Sequence, residues 1–231
     1  MYFDRIVIVV PDLVAALAAY RALLGVPLPA PGAGERRAWI ALPNTVLELQ
    51  QRDVPNAFIA GLVFADPATG VPEHPLQNEL GLELALGDGC ETGEFRASAP
   101  AGQCHELSVD HLVLRSADAQ ACIALFRDRL GIRLALDKSV PEWGGRMLFF
   151  RAGKLTLEVI AGGDTDAGHA LWGIAYQCED AMALADRLRD TGVAVSDVRE
   201  GRKPGTLVAT LKSHQLGIPT LLIQQGRVLS A

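Results

Sequence analysis

Two residue types that could do chemistry recur at matching places in this sequence. In VDHLVLRSADAQACIALFRDRLG, residues 109–131, His111 stands on a short apolar run, and in KLTLEVIAG, residues 154–162, Glu158 stands between apolar neighbours. Strand side chains alternate, so Leu157 and Val159 share one face while Thr156, Glu158 and Ile160 share the other. TVLELQQ, residues 45–51, repeats the pattern, with Leu47 and Leu49 opposing Val46, Glu48 and Gln50. A sheet that packs its leucine side under a helix sends both carboxylates to the opposite side. If that side curves into a cup, Glu48 and Glu158 line it. An imidazole and a carboxylate there could ligate a divalent cation or exchange protons. A lone histidine on a strand also serves as a half-buried structural residue.

The elements that must position these groups come as a repeat. DRIVIVVPDLVAALAAYRALLG, residues 4–25, aligns without a gap on DHLVLRSADAQACIALFRDRLG, residues 110–131. The alignment pairs Asp4 with Asp110, Arg5 with His111, Asp12 with Asp118, Tyr20 with Phe126 and Gly25 with Gly131. Each copy opens with a strand-like run, then an Asp suited to cap a helix. Leu13, Leu17, Tyr20 and Leu24 in one copy, and Ile123, Phe126 and Leu130 in the other, form one apolar stripe of an amphipathic helix. Gly25 and Gly131 then sit where a left-handed residue ends a helix. Three strand-like segments follow each glycine, near 26–30, 36–42 and 45–51, and near 132–138, 145–151 and 154–161. The unit is β-α-β-β-β.

A fainter copy begins at GIAYQCEDAMALADRLRDTGVAV, residues 173–195, with Asp180 as cap and Gly192 as stop, and closes with strands near 206–211 and 218–225. Between the strong copies, FIAGLVFAD and ELGLELALG read as strands, but PATGVPEHPLQNE between them is too Pro-rich for the helix of the repeat. The expected fold class is therefore α+β, with repeated βαβββ units forming curved, cup-like mixed sheets and helices on the outer face. The expected halves are residues 1–107, holding unit one at 4–51 with a degenerate unit two and a linker at 52–107, and residues 108–231, holding units at 108–162 and 170–226.

Bulk properties narrow the partners. The 231 residues carry a formal charge of −6 with no long Lys/Arg run, which argues against nucleic acid. No apolar run has the length of a membrane span, and MYFDRIVIVVPD breaks at Pro11 without a basic leader, so a cytoplasmic protein is expected. Cys90, Cys104, Cys122 and Cys178 show no CxxC spacing and read as reduced structural thiols. GAGERR and GDGCETG lack the strand-before, helix-after setting of a nucleotide loop, and no G-x-S-x-G elbow occurs.

An Asp-His pair opening an apolar strand, then an Asp, an amphipathic helix, a Leu-Gly stop and a closing Leu-Glu resembles the vicinal oxygen chelate superfamily. That superfamily holds glyoxalases, bleomycin-resistance proteins and extradiol dioxygenases; the resemblance covers about 4–51 and 108–226. It implies a divalent metal (Fe, Zn, Mn or Ni) in the cup, holding neighbouring oxygens of a small oxygenated or aromatic substrate in a lyase, isomerase or dioxygenase. Its ligand positions fall on Arg5, Glu48, His111, Glu158, Gly173 and Leu222, of which only Glu48, His111 and Glu158 could bind a metal. Glu158 would ligate or act as base. Pairing of adjacent units leaves His111 and Glu158 together, whereas pairing of the two strong copies adds Glu48. The other reading implied is a metal-free protein that binds or sequesters a small molecule, of the bleomycin-resistance type. The resemblance further implies chain pairing through a sheet edge, so that a homodimer could supply a missing ligand.

Other polar residues are candidates for substrate contact. Arg5 either grips a substrate carboxylate or pairs with Glu48. Arg115 and Gln177 lie four positions beyond His111 and Gly173, on the cup face by alternation. Arg202 and Lys203, in the turn GRKPGT, could attract an anionic group at the rim or simply serve the turn. His169 and His214 read as loop residues that could complete a metal site, and Trp143, Arg146 and Trp172 as rim or packing residues.

Overall fold

The computed structural model describes residues 1–98, 107–143, 145–162, 168–212 and 217–226. β1 (Tyr2–Val10) leads into α1 (Leu13–Leu24), followed by β2 (Arg37–Ala41) and β3 (Val46–Gln51). A second unit has β4 (Phe58–Ala65), β5 (His74–Pro75) and β6 (Glu83–Gly87), and then α2 (Cys90–Ser98). The third unit has β7 (Ser108–Ser116) and α3 (Ala119–Cys122), which runs on as a π-helix over Ile123–Arg129. It continues with β8 (Arg133–Val140), β9 (Gly145–Ala152) and β10 (Leu155–Gly162). The fourth has β11 (Ala170–Cys178), α4 (Ala181–Asp190), β12 (Arg199–Glu200), β13 (Thr206–Leu211) and β14 (Thr220–Gln225).

Adjacent units pair. One sheet runs β2-β3-β1-β4-β6-β5 and the other β12-β13-β14-β11-β7-β10-β9-β8. In each, the first strands of two units meet antiparallel, β1 with β4 and β7 with β11, and each first strand is flanked by the parallel last strand of its own unit. The mixed α+β architecture of two open sheets is the one the repeat predicts.

The caps work as expected. Asp12 accepts from the Ala15 amide at 3.0 Å, Asp118 from Gln120 and Ala121 at 2.7 and 3.0 Å, and Asp180 from Met182 and Ala183 at 2.9 and 3.0 Å. Gly25 and Gly131 stop their helices with φ of 69° and 65°.

Two segments depart from expectation. No strand forms at 26–30, because Pro27, Pro29 and Pro31 remove the amide donors that a ladder needs. Within 52–107, the stretch after β6 that was expected to be linker begins instead with α2. Asp88 accepts from the Cys90 amide at 2.9 Å, Phe95 meets Trp39 edge-on at 5.2 Å and Arg96 donates to the Leu42 carbonyl at 2.9 Å.

The helix-bearing faces of both sheets share one buried cluster. It takes Ile6, Ile8, Leu47, Leu49, Leu62 and Phe64 from one sheet and Leu112, Leu114, Leu157, Val159, Ile174 and Tyr176 from the other. The alternate residues Val7, Val63 and Val113 are buried outside that cluster, on the cup sides. The second unit has no helix between β4 and β5, and the third unit covers the bare face: Phe126 lies 6.4 Å from Phe64, and Arg129 reaches the Gln77 carbonyl at 2.5 Å. The Tyr20 and Tyr176 phenols, both fully buried, are polar neighbours across the same boundary, although no hydrogen bond closes between them.

A further polar clasp joins the halves. Arg187 of α4 donates to the Ala22 and Leu23 carbonyls at 2.7 and 2.8 Å, in the last turn of α1, where a cation also opposes the negative end of the helix dipole. Arg187→Ala should cost about 1–2 kcal/mol, read in a circular-dichroism melt as a fall of roughly 2–8 °C. An unchanged melting temperature would mean that the Arg187 contacts add nothing to the junction.

Candidate functional site

On the cup side of the eight-stranded sheet, β7 and β10 run parallel in a register that sets Thr156 beside His111 and Glu158 beside Val113. Leu157 and Val159 go to the core, so Glu158 points the other way, toward the imidazole. His111 Nε2 lies 3.5 Å from Glu158 Oε2, and both side chains are half-buried. That gap is longer than a good hydrogen bond, so neither group satisfies the other. The other ring nitrogen is held: His111 Nδ1 lies 2.9 Å from Asp110 Oδ2.

Asp110 is the start of a longer chain. Its Oδ1 accepts from Gln225 Nε2 at 3.1 Å, and Gln225 Oε1 accepts from Lys203 Nζ at 3.0 Å. The His111 hydrogen bond holds the Asp110 carboxyl below its usual range, against the opposing effect of burial and with help from the His111 charge, Gln225 and Lys203. An ionised Asp110 only accepts, so in the neutral ring the proton sits on Nδ1 and the Nε2 lone pair faces the cup. Burial pushes the Glu158 carboxyl up, opposed by His111 and Arg202 and reinforced by the Asp110 charge. The two carboxyls flanking one imidazole are thus driven apart, one charged and one inclined to keep its proton.

The remaining cup candidates are spread out. Arg115 is exposed, with its guanidinium 4.1 Å above the Trp172 ring, and Trp172 is 40% exposed at the β11 bulge. Gln177 is exposed at the far end of β11, beside Ser108. Arg202 and Lys203 are exposed, near enough to Glu158 and to Asp110 respectively to act on their charges. Arg146 is taken by Asp137 at 2.5–2.6 Å. His169 is pinned to Ser116 at 2.8 Å and does not join His111. His214 and the Trp143 side chain lie outside the described residues.

Two positions in the fourth unit need correction or comment. Leu222 belongs to the shared core and is fully buried, so it is not the counterpart of Glu158. Ala175, the counterpart of Val113 when the capping Asp118 and Asp180 are aligned, pairs with Leu221, and Leu221 packs on the cup side with Ala175, Val208 and Ile223. At Gly173 an added Cβ would stand 3.0 Å from the Pro219 carbonyl oxygen, so any ligating side chain is disfavoured there.

In the first cup the charges pair among themselves, beside a cavity of about 460 Å³ lined by Val7, Arg37, Glu48, Gln50, Val63 and Glu73. Arg5 and Glu48 are 2% and 1% exposed, and Arg5 Nε donates to Glu48 Oε2 at 2.9 Å. The Arg5 guanidinium also engages Asp4 at 3.4 Å and Glu73, and it lies 4.7 Å from the Trp39 ring centroid. The second Glu48 oxygen accepts from Arg37 Nε at 2.9 Å and Gln50 Nε2 at 2.8 Å. Burial alone would raise the Glu48 carboxyl, but Gln50, Arg37 and Arg5 together hold it below its usual range. Two expectations are thereby corrected. Glu48 is not a co-ligand of His111 and Glu158, since it lies on the other sheet with both oxygens occupied. Arg5 is not an open substrate grip, since its guanidinium is spent on carboxylates; the Glu48 pairing holds instead.

Metal fit follows from this inventory. Asp110 holding Nδ1 while Nε2 faces a carboxylate is the outer-sphere arrangement of a metal-ligating histidine, and two bonds of about 2.0–2.2 Å could span 3.5 Å. A catalytic metal needs about three protein ligands, however. Among the described residues, no group of three or more His, Cys, Asp or Glu gathers in ligand geometry. The described donor set does not fit a resident catalytic metal.

An eight-stranded sheet of two paired units, with histidine on a first strand and glutamate on a last strand, is the arrangement that the resemblance implies. Residues 110–210 match the family model "Glyoxalase/Bleomycin resistance protein/Dioxygenase superfamily", and the chain carries a domain of that superfamily. A mutant of 4-hydroxymandelate synthase from Streptomyces coelicolor shares the fold across the molecule, with a TM-score of 0.69 at 16% identity over 97% of this chain and 92% of that one. Methylmalonyl-CoA epimerase from Mycobacterium tuberculosis aligns at 20% identity over 53% of this chain and 90% of its own, with a TM-score of 0.44. A variant of the Streptomyces coelicolor epimerase in complex with 2-nitronate-propionyl-CoA aligns at 23% over 53% and 97%, with a TM-score of 0.43. No curated protein matches the sequence. No helix among the described residues is long and apolar enough to cross a membrane.

The buried charge cluster yields a stability prediction. Arg5→Met strands Glu48 and Asp4 in a buried site and should cost about 3–5 kcal/mol in urea unfolding at neutral pH. Because the folded Glu48 pKa is depressed, its contribution is complete above the ordinary carboxylate range and fades as pH falls through the folded value. The gap between wild type and Arg5→Met should therefore narrow on acidification; a gap that widens would contradict the assignment.

Proposed function

We propose that the C-terminal cup takes a small oxygenated anion and moves a proton on it between His111 and Glu158, the chemistry of a lyase or isomerase. The observation that carries this reading is a carboxyl raised by burial, facing an imidazole whose tautomer Asp110 holds. Neutral His111 offers the Nε2 lone pair as base, and Glu158, protonated to higher pH than an ordinary carboxyl, serves as acid. Because no close hydrogen bond joins them at 3.5 Å, a substrate hydroxyl lying over both groups can accept from Glu158 and donate to the His111 Nε2 lone pair. Arg202, Lys203 and Arg115 supply the positive rim that favours an anion, and Gln177 is a further polar contact. Ring-cleaving dioxygenation gains less support, because it needs a metal that two donors would hold weakly.

A second reading is binding without turnover, favoured by the non-ligating Gly173 and Leu221. Small 2-oxo acids, 2-hydroxy acids and catechols screened by ligand-observed NMR in D2O separate the two. Proton transfer should exchange deuterium into a bound ligand, with Glu158→Gln slower by roughly 10²–10⁴-fold while the ligand still binds. Binding with no exchange by the wild type would leave sequestration.

Protein purified without chelator should contain far less than about one equivalent of iron, zinc, manganese or nickel. A tightly held metal that is lost in His111→Ala would instead establish the metal-dependent enzyme.

A further inference from the structure

The hydrogen-bond chain behind His111 has a direction that only its residue types can impose. Lys203 Nζ has donors and no acceptor, while Asp110, as a carboxylate, has acceptors and no donor. Gln225 lies between them, 3.0 Å from Lys203 and 3.1 Å from Asp110. Only one orientation of its amide satisfies both neighbours, with the carbonyl toward the ammonium and the NH2 toward the carboxylate. The other would set donor against donor and acceptor against acceptor.

Gln225 reaches this place by strand alternation. On β14, Leu222 goes to the shared core, whereas Leu221 and Ile223 go to the cup side, and Gln225 falls in phase with them. It is half-buried, as is Asp110. The bond therefore joins the last strand of the fourth unit to the first strand of the third, two strands that are separated in the sheet by β11.

We infer that Gln225, oriented by Lys203, is a positioning residue that holds Asp110 Oδ2 on His111 Nδ1 and so keeps the His111 Nε2 lone pair turned into the cup. This deepens the proton-transfer reading of the same site. It also reassigns Lys203 from direct substrate contact to support of the imidazole. The groups facing His111 are Asp110 and Glu158, and of these only Asp110 touches the relay.

Gln225 acts through Asp110 and His111, so the test reads the imidazole directly and needs no substrate. Nitrogen-15 spectra of histidine-labelled full-length protein at neutral pH should show His111 with a protonated Nδ1 and a bare Nε2. Gln225→Leu should lose that single-tautomer signature and show the Nε2-protonated form, with the fold intact by circular dichroism. Lys203→Met should move the same resonances in the same direction by less, and Lys203→Arg should restore them. A His111 spectrum unchanged in Gln225→Leu would overturn the relay. Failure here alongside ligand deuteration by the wild type would discard the relay and keep the proton-transfer reading; a confirmed relay with no deuteration would do the reverse.

Discussion

Both sheets depend on one constraint, the need to bury the helix-bearing face of each against something. Three of the four units bring a helix to that task; the second does not, and its bare strands β4 and β6 would expose Leu62, Phe64 and Leu84. The third unit supplies the cover. Once Phe126 packs on Phe64, the two cores become one, and the helix sides of the sheets turn toward each other. The cup sides then turn outward and apart. Strand alternation does the rest, sending Glu48 into one cup and His111 and Glu158 into the other, so the ligand-type residues of the two strong repeats cannot meet.

Much of this was legible in the sequence because it is local or periodic. The gapless repeat located β1 and β7, the Asp caps and the glycine stops, and alternation alone predicted that Glu48 and Glu158 would oppose the leucine face. What failed was non-local. Whether unit one pairs with unit two or with unit three is a choice between contacts of similar pattern, decided by a helix that the second unit lacks. The counterpart of Glu158 in the fourth unit was misread by one residue: the β11–β14 register sets Leu221, not Leu222, beside Ala175, and a single-residue slip changes the face. Gln225 was missed although its alternation was readable, since nothing in PTLLIQQ announces that Asp110 lies within reach. Arg37 and Glu73 were missed for a similar reason: the partners they meet on Glu48 and Arg5 are distant in sequence.

The aligned positions Arg5 and His111 show how one substitution changes what a cup can do. A guanidinium keeps its charge at any accessible pH, so burying Arg5 obliges the surrounding strands to bring carboxylates, here Glu48, Asp4 and Glu73. Each carboxylate then seeks further donors, and Glu48 recruits Arg37 and Gln50. The hydrogen-bonding capacity of Arg5 and Glu48 is consumed internally, and Glu48 is held below its usual range.

An imidazole makes no such demand. Neutral His111 tolerates partial burial with a single carboxylate on one ring nitrogen, and Asp110 satisfies it from the adjacent position in the chain. Glu158 therefore receives no close hydrogen bond from His111, and burial rather than pairing governs its proton. A site in which an imidazole nitrogen and a carboxyl with a raised pKa lie side by side without a close hydrogen bond leaves both groups free to contact a third one. The same fold thus holds a cup whose charges are spent and a cup whose charges are available, and the difference begins with the residue that follows Asp4 and Asp110.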